Sequence, residues 1–168
     1  MSKRRTTMQA GYVQVDDELL QKIKADFAKN GKARVHVGVL GGFDGRQSKE
    51  GEAAGNASIG AAHEFGVISR NLPARSFLRM PVITQLPAAL SATDKQLWHK
   101  VIIKKGVIGA LELLGAYALD SIHLAFETGG FGLWQKLKRA TIRRKKSSAI
   151  LIDTAQLRQS ITAEIFGP

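Results

Sequence analysis

Apolar residues recur along this chain at two spacings, and the change from one to the other predicts its elements. Leu19, Leu20, Ile23 and Phe27 follow the i, i+3/4, i+7/8 rhythm of an amphipathic helix over Val15–Asn30. Asp16 and Asp17 stand at its start, where acids complement the helix dipole, and Asn30-Gly31 supplies a stop. Over Arg34–Leu40 the period shortens to two: Val35, Val37 and Val39 fall on one face and Arg34, His36 and Gly38 on the other, as in a half-buried strand. Val107, Leu111, Leu114, Ala118, Ile122 and Ala125 then form a continuous stripe through a long helix expected from Asp94 to Glu127. Gly106, Gly109, Ala110, Gly115 and Ala116 in the same stretch would let a neighbouring backbone approach closely. Gly109 and Gly115 each weaken the helix by about 1 kcal/mol relative to alanine, so packing has to compensate. Ile161, Ala163 and Ile165 alternate with Thr162 and Glu164 in a closing strand, a partner for Arg34–Leu40. The expected fold class is α+β: a small antiparallel sheet packed on one long helix, with flanking shorter helices and mobile arms and loops.

The segments between are punctuated by helix breakers. Met1–Gly11 reads as a flexible basic arm, with residues 12–168 forming a single domain. Gly41–Asn56 holds five glycines and no periodicity, which predicts a mobile loop. A loop of that length either orders on assembly or is a tolerated hairpin insertion. Ala57–Phe65 suits a short helix with Ser58 as cap and Gly66 as terminator. Asn71-Leu72-Pro73 is a turn, since the residue before proline avoids the α region. Ser76 suits the cap of the next helix, which Pro81 and Pro87 disturb. Gly129-Gly130 ends the long helix, and Trp134, Leu137 and Thr141 begin another. Asp153 with Gln156 makes a capping-box pattern.

Composition narrows the class. The 168 residues suit one hydrophobic core. Cysteine is absent, which removes disulfides, zinc–thiolate sites and cysteine nucleophiles and fits a reducing compartment. The polar, basic Met1–Gly11 segment is no secretory signal. The most apolar stretch, the 14 residues Gly106–Leu119, contains Glu112 and falls short of the roughly 20 that span a bilayer, so a soluble protein with no membrane partner is expected. The formal net charge is +11, and it is clustered: Trp134–Arg158 carries eight basic residues against one acid, Asp153. Lys136, Lys138, Arg139, Arg143, Arg144, Lys145 and Lys146 make up most of that cluster. A surface of this kind attracts polyanions, nucleic acid or an acidic partner, and it equally serves as a solvated helix face.

Catalytic patterns fail on inspection. His63-Glu64 opens an H-E-x-x-H pattern, but Val67 occupies the second ligand position, which leaves a packing or capping histidine. His36, His99 and His123 are isolated, and Ser58, Ser76 and Ser160 lie in no nucleophile elbow. Gly41-Gly42 and Gly45 are not followed by G-K-[ST]. No enzyme, metal or cofactor is expected.

Three short segments remain: Ile59-Gly60-Ala61-Ala62-His63-Glu64-Phe65-Gly66, Leu72-Pro73-Ala74-Arg75-Ser76-Phe77-Leu78-Arg79, and Leu151-Ile152-Asp153-Thr154-Ala155-Gln156-Leu157-Arg158-Gln159-Ser160-Ile161. In their order and spacing over residues 57–166, with an aromatic-led basic helix between the second and third, they resemble the tail-completion (head–tail joining, or neck) proteins of long-tailed phages. Ala155 stands where that family usually has glycine, which weakens the case for a positive φ in the last turn. The resemblance implies a structural virion protein at the head-proximal tail end, assembled in the host cytoplasm. It would form a homo-oligomeric ring, six-fold to match the tail, and meet tail-terminator, tail-tube and head–tail adaptor proteins. The basic 134–146 segment would line the DNA channel or meet acidic surfaces of adjoining rings. In the three segments, Phe65, Leu72, Phe77, Leu78, Leu151, Leu157 and Ile161 are expected core residues. Glu64, Arg75, Arg79 and Arg158 are either solvated or act at the subunit interface, with Glu64 pairing Arg75 or Arg158 to fix the loops that face a neighbour. The alternatives are a free nucleic-acid-binding protein, which charge alone supports, and a minor capsid-stabilising protein.

Overall fold

The computed structural model describes residues 5–8, 11–14, 16–45, 55–145, 148, 150–151 and 155–167. In chain order the elements are β1 (Arg5–Met8), β2 (Gly11–Gln14), α1 (Asp17–Asn30), β3 (Arg34–Val39), α2 (Asn56–Phe65), α3 (Arg79–Thr84), α4 (Leu86–Ala92), α5 (Lys95–Thr128), α6 (Arg139–Lys145), α7 (Gln156–Gln159) and β4 (Ile161–Phe166). The fold is α+β: β3 pairs with β4 in a small antiparallel sheet that packs with α5 and the shorter helices. The chain divides into two compact units, one drawn from 1–35, 94–113 and 165–168, the other from 36–93 and 114–164.

In the first unit β1 and β2 form an antiparallel hairpin, with Arg5 opposite Gln14 and Met8 opposite Gly11. Much of the stretch expected as a loose arm is therefore strand, because a second extended segment lies next to it in sequence and supplies the ladder bonds. Asp16 caps α1, its Oδ1 accepting from the backbone N–H of Glu18 and Leu19 at 3.1 Å each. No α1 residue is fully buried, and Phe27 is 51% exposed.

The long helix forms over almost the expected span but leaves helical geometry at Gly106 (φ 69°, ψ −157°). That region is open essentially to glycine alone. The Asp26 carboxylate sits at the break, accepting from the Val107 N–H at 2.7 Å and from Asn30 Nδ2 at 2.8 Å. Those two bonds, the Val107 one first, hold the Asp26 carboxyl below its usual range. A Cβ on residue 106 would collide with that carboxylate. Gly106 thus restarts the helix under an acid cap, and the expected close approach of a neighbouring backbone is not its role.

The core of the second unit gathers Phe77, Ile122, Ala125, Phe126, Trp134, Leu157 and Ile161, with Val37 and Val39 of β3 packed against it. Phe77 and Phe126 lie with ring centroids 5.2 Å apart, and Trp134 meets Phe126 edge-on at 6.0 Å. Trp134 begins no helix. Gly129, Gly130, Phe131 and Gly132 all take positive φ, turning the chain back so that the indole enters the core. Burying that large ring outweighs continuing a helix, and α6 starts only at Arg139. Ala118, Ile122 and Ala125 of the predicted stripe are buried, as expected.

The stem of the Gly41–Asn56 loop is held in place. Gly41–Phe43 forms a 3-10 turn, Asn56 Nδ2 donates to the carbonyls of Phe43 (3.3 Å) and Gly45 (3.0 Å), and the Asn56 N–H reaches Asp44 O at 3.0 Å. The expectation of mobility over 46–54 lies outside the described residues.

Gly106→Ala is expected to destabilise the protein by about 1–3 kcal/mol, the strain of a side chain in that backbone region. Urea unfolding followed by circular dichroism measures it; a variant as stable as the parent would show that the break carries no constraint.

Candidate functional site

The first two sequence segments meet at one buried carboxylate. Glu64, on the last turn of α2, is only 3% exposed. Its Oε2 accepts from the N–H of Phe77 (2.7 Å) and of Leu78 (2.9 Å), and its Oε1 from Ser76 Oγ (2.6 Å), Arg79 N (3.1 Å) and Arg79 Nε (3.0 Å). The backbone donors belong to the start of α3, where N–H groups have no partner within the helix. Leu78, at the N-cap, provides no side-chain bond of its own. Ser76 completes the cap as predicted, its Oγ accepting from the Met80 N–H at 3.0 Å. Burial pushes the Glu64 carboxyl up, but the bonds from Leu78, Ser76 and Arg79 together outweigh it and hold the group below its ordinary value of 4.5.

The pairing differs from the sequence expectation: Glu64 engages Arg79, and neither Arg75 nor Arg158. Arg79 lies in the same stretch as the backbone donors, so one turn of chain delivers both kinds of bond. Its guanidinium also sits 4.6 Å over the Phe65 ring. Phe65, an expected core residue, is 64% exposed and acts as the platform for that cation. Phe77, Leu157 and Ile161 are buried, and Leu78 and Leu151 pack against the core as expected.

Arg158 instead pairs with Glu127, Nη2 to Oε1 at 2.6 Å. Its neighbour Leu157 packs on α2, where a Cβ on Gly60 would lie 3.4 Å from both Leu157 and Phe77, so the third segment rests on the helix that carries Glu64. Ala155 precedes α7 at φ 60°, left-handed despite its Cβ, so the turn does take the positive φ that alanine made doubtful. The capping role read for Asp153 lies outside the described residues.

Arg75 is 5% exposed. Its N–H donates to His63 O at 2.6 Å, tying the second segment to α2. Its Nη2 reaches Gln135 O at 3.3 Å, and its buried Nε has no hydrogen-bond partner among the described residues. Burial lowers the proton affinity of this guanidinium. It lines a groove of about 570 Å³ whose wall includes Arg70, Lys136 and Lys138.

Of the basic cluster, Lys136, Lys138, Arg139 and Arg143 are exposed, the last two on α6. Arg144 and Lys145 belong to α6 with side chains outside the description, and Lys146 lies outside the described residues. Exposed apolar side chains stand nearby in sequence to the Glu64 junction: Ile68 (99%) and Ile83 (70%). No group of three or more metal-ligating side chains occurs among the described residues, and among them no helix is long and apolar enough to cross a membrane. Comparison of the chain with protein-family models, curated proteins and solved structures finds no match.

Glu64→Ala is expected to cost about 3 kcal/mol or more, because several donors lose a buried charged acceptor together. Arg79→Ala, whose side chain is 59% exposed, should cost about 1 kcal/mol. Since the folded carboxyl is depressed, its stabilisation is complete above 4.5 and is lost as pH falls through the lower folded value. The stability gap between parent and Glu64→Ala should therefore narrow below that pH in urea titrations; a gap independent of pH would contradict an ionised Glu64. Ala155→Gly should raise stability by about 0.5–1 kcal/mol, the relief of left-handed strain less the added unfolded-chain entropy, read as a higher urea midpoint.

Proposed function

We propose that this chain is a structural protein of long-tailed phage particles, forming a ring at the head-proximal end of the tail that completes the tail and joins it to the DNA-filled head. The observation that carries the reading is the convergence of the three segments. Glu64 joins the first to the second, and Leu157 seats the third on the same helix. A junction of this kind is suited to holding a surface in a set shape, and the exposed Phe65 under the Arg79 guanidinium is the type of apolar and cationic pair that subunits bury. Assembly, with no catalytic step, is the mechanism. Its partners are further copies of itself in a six-fold ring, tail-terminator and tail-tube proteins, and head–tail adaptor proteins, in a virion assembled in the host cytoplasm.

A nucleic-acid role is the second reading, favoured by exposed Arg139 and Arg143 on one helix beside Lys136 and Lys138. In the joining reading the same residues touch DNA passing through the channel. The two separate in electron micrographs of lysates from a phage lacking this gene. Unjoined full heads and finished tails, joined when purified protein is added back, are the expected result. Intact infectious particles without the protein would sink the joining role, and tight, steeply salt-dependent duplex binding by isolated monomers would then favour the second reading.

A further inference from the structure

The first unit is held together with little burial. Among the residues of 1–35, 94–113 and 165–168 whose side chains are described, Gly109 alone is buried, so none of those side chains is fully withdrawn from water. In α1, Leu20 is 37% exposed and Phe27 51%, and Leu19 and Ile23 are half-buried. A helix of 14 residues is marginal by itself in water and normally draws its stability from apolar packing. Here a polar bond ties it down. Asp26 Oδ2 accepts from the Val107 N–H, 81 residues away, while Asn30 Nδ2 holds Oδ1 and presets the carboxylate for that contact.

That bond falls beside the one residue type with two options. Glycine reaches left-handed and right-handed backbone regions at similar cost. In the form seen, Gly106 leaves helical geometry and the Val107 N–H meets Asp26. With Gly106 in right-handed helical geometry, α5 would run unbroken and the same N–H would meet the Ile103 carbonyl, four residues back. The segments on both sides, 101–105 and 107–111, are helical already, so only the joint has to change. The two forms differ in which acceptor the Val107 amide holds. A carboxylate is the stronger acceptor, but keeping it there requires α1 to stay ordered beside α5. We propose that Asp26 and Gly106 form a two-state clasp: closed, with α5 broken and α1 held to it through Asp26, and open, with α5 continuous and α1 released. Leu19 and Ile23 precede Asp26 by seven and three residues and share its helix face, so opening uncovers them. The clasp thereby governs when the apolar side of α1 is available.

The test is NMR of the isotopically labelled whole protein, using the through-hydrogen-bond coupling that links the Val107 nitrogen to the carbon of its acceptor. In the parent that carbon should be the Asp26 carboxyl. Asp26→Ala should transfer the coupling to the Ile103 carbonyl and speed amide exchange across α1 about tenfold or more, the loss of a hydrogen bond to a charged group. Asp26→Asn, whose amide oxygen still accepts, should keep the parent's pattern. Gly106→Ala opens the clasp from the other side. Only the closed form carries the strain of that side chain and its collision with the carboxylate, so the balance should move about tenfold or more towards the open form. It should show the same transferred coupling and the same faster exchange in α1, which keeps the test intact where Asp26→Ala does not fold. A parent Val107 coupled to Ile103 would overturn the proposal. So would a Val107 amide coupled to no backbone carbonyl in both variants, because the break would then be fixed without Asp26. Amides of α1 as protected in both variants as in the parent, or loss of the folded state in both, would overturn it as well.

Discussion

The second unit depends on one ionised carboxylate held almost out of water. Glu64 is 3% exposed and receives donors from Ser76 through Arg79. Backbone amides at a helix start need an acceptor, and only a charged group with two oxygens can serve three consecutive amides, a hydroxyl and a guanidinium together. The consequences reach both inward and outward. The bond to the Phe77 amide fixes the residue whose ring is fully buried against Phe126, and the bond to Arg79 sets the guanidinium over Phe65 at the surface. Core and candidate contact surface are therefore positioned by the same group.

The same device recurs. The backbone N–H of Ala57, at the start of α2, donates to Asp44, 13 residues earlier; that of Val107, where α5 resumes, donates to Asp26, 81 residues earlier. Neither Gly55 nor Leu78, at the N-caps of α2 and α3, makes a side-chain capping bond. Remote acids thus take the place of local caps and tie elements together while they satisfy helix ends. This has an electrostatic corollary. In a chain with 14 acids against 25 Lys and Arg, acids engaged inside are unavailable to neutralise the surface. The positive charge is then expressed outward, on Lys136, Lys138, Arg139 and Arg143 and within the groove at Arg75.

What the chain's pattern made legible were the elements whose cause is local. The alternation in Val35, Val37 and Val39 marked β3, the alternation from Ile161 marked β4, and the two pair as expected. The i, i+3/4 stripe located α5, the turn residues at Gly66 and Gly129-Gly130 ended helices where they should, and Ser76 served as a cap. The site was legible in part. Glu64 was singled out, but its arginine was not, because the choice among Arg75, Arg79 and Arg158 depends on where three loops lie in space.

Periodicity and breakers act within a few residues, so the sequence by itself determined the α+β class, the pairing strands, the buried stripe and the clustered positive charge. Burial and remote capping act between residues far apart, and only the tertiary structure decided them. It turned Phe65 out, under the Arg79 guanidinium, and Trp134 in, edge-on to Phe126. It set Ala155 in a left-handed turn that its Cβ disfavours, where the packing of Leu157 on α2 holds the chain. It broke α5 at Gly106 because Asp26 stands there to cap it, a juxtaposition that no local pattern encodes.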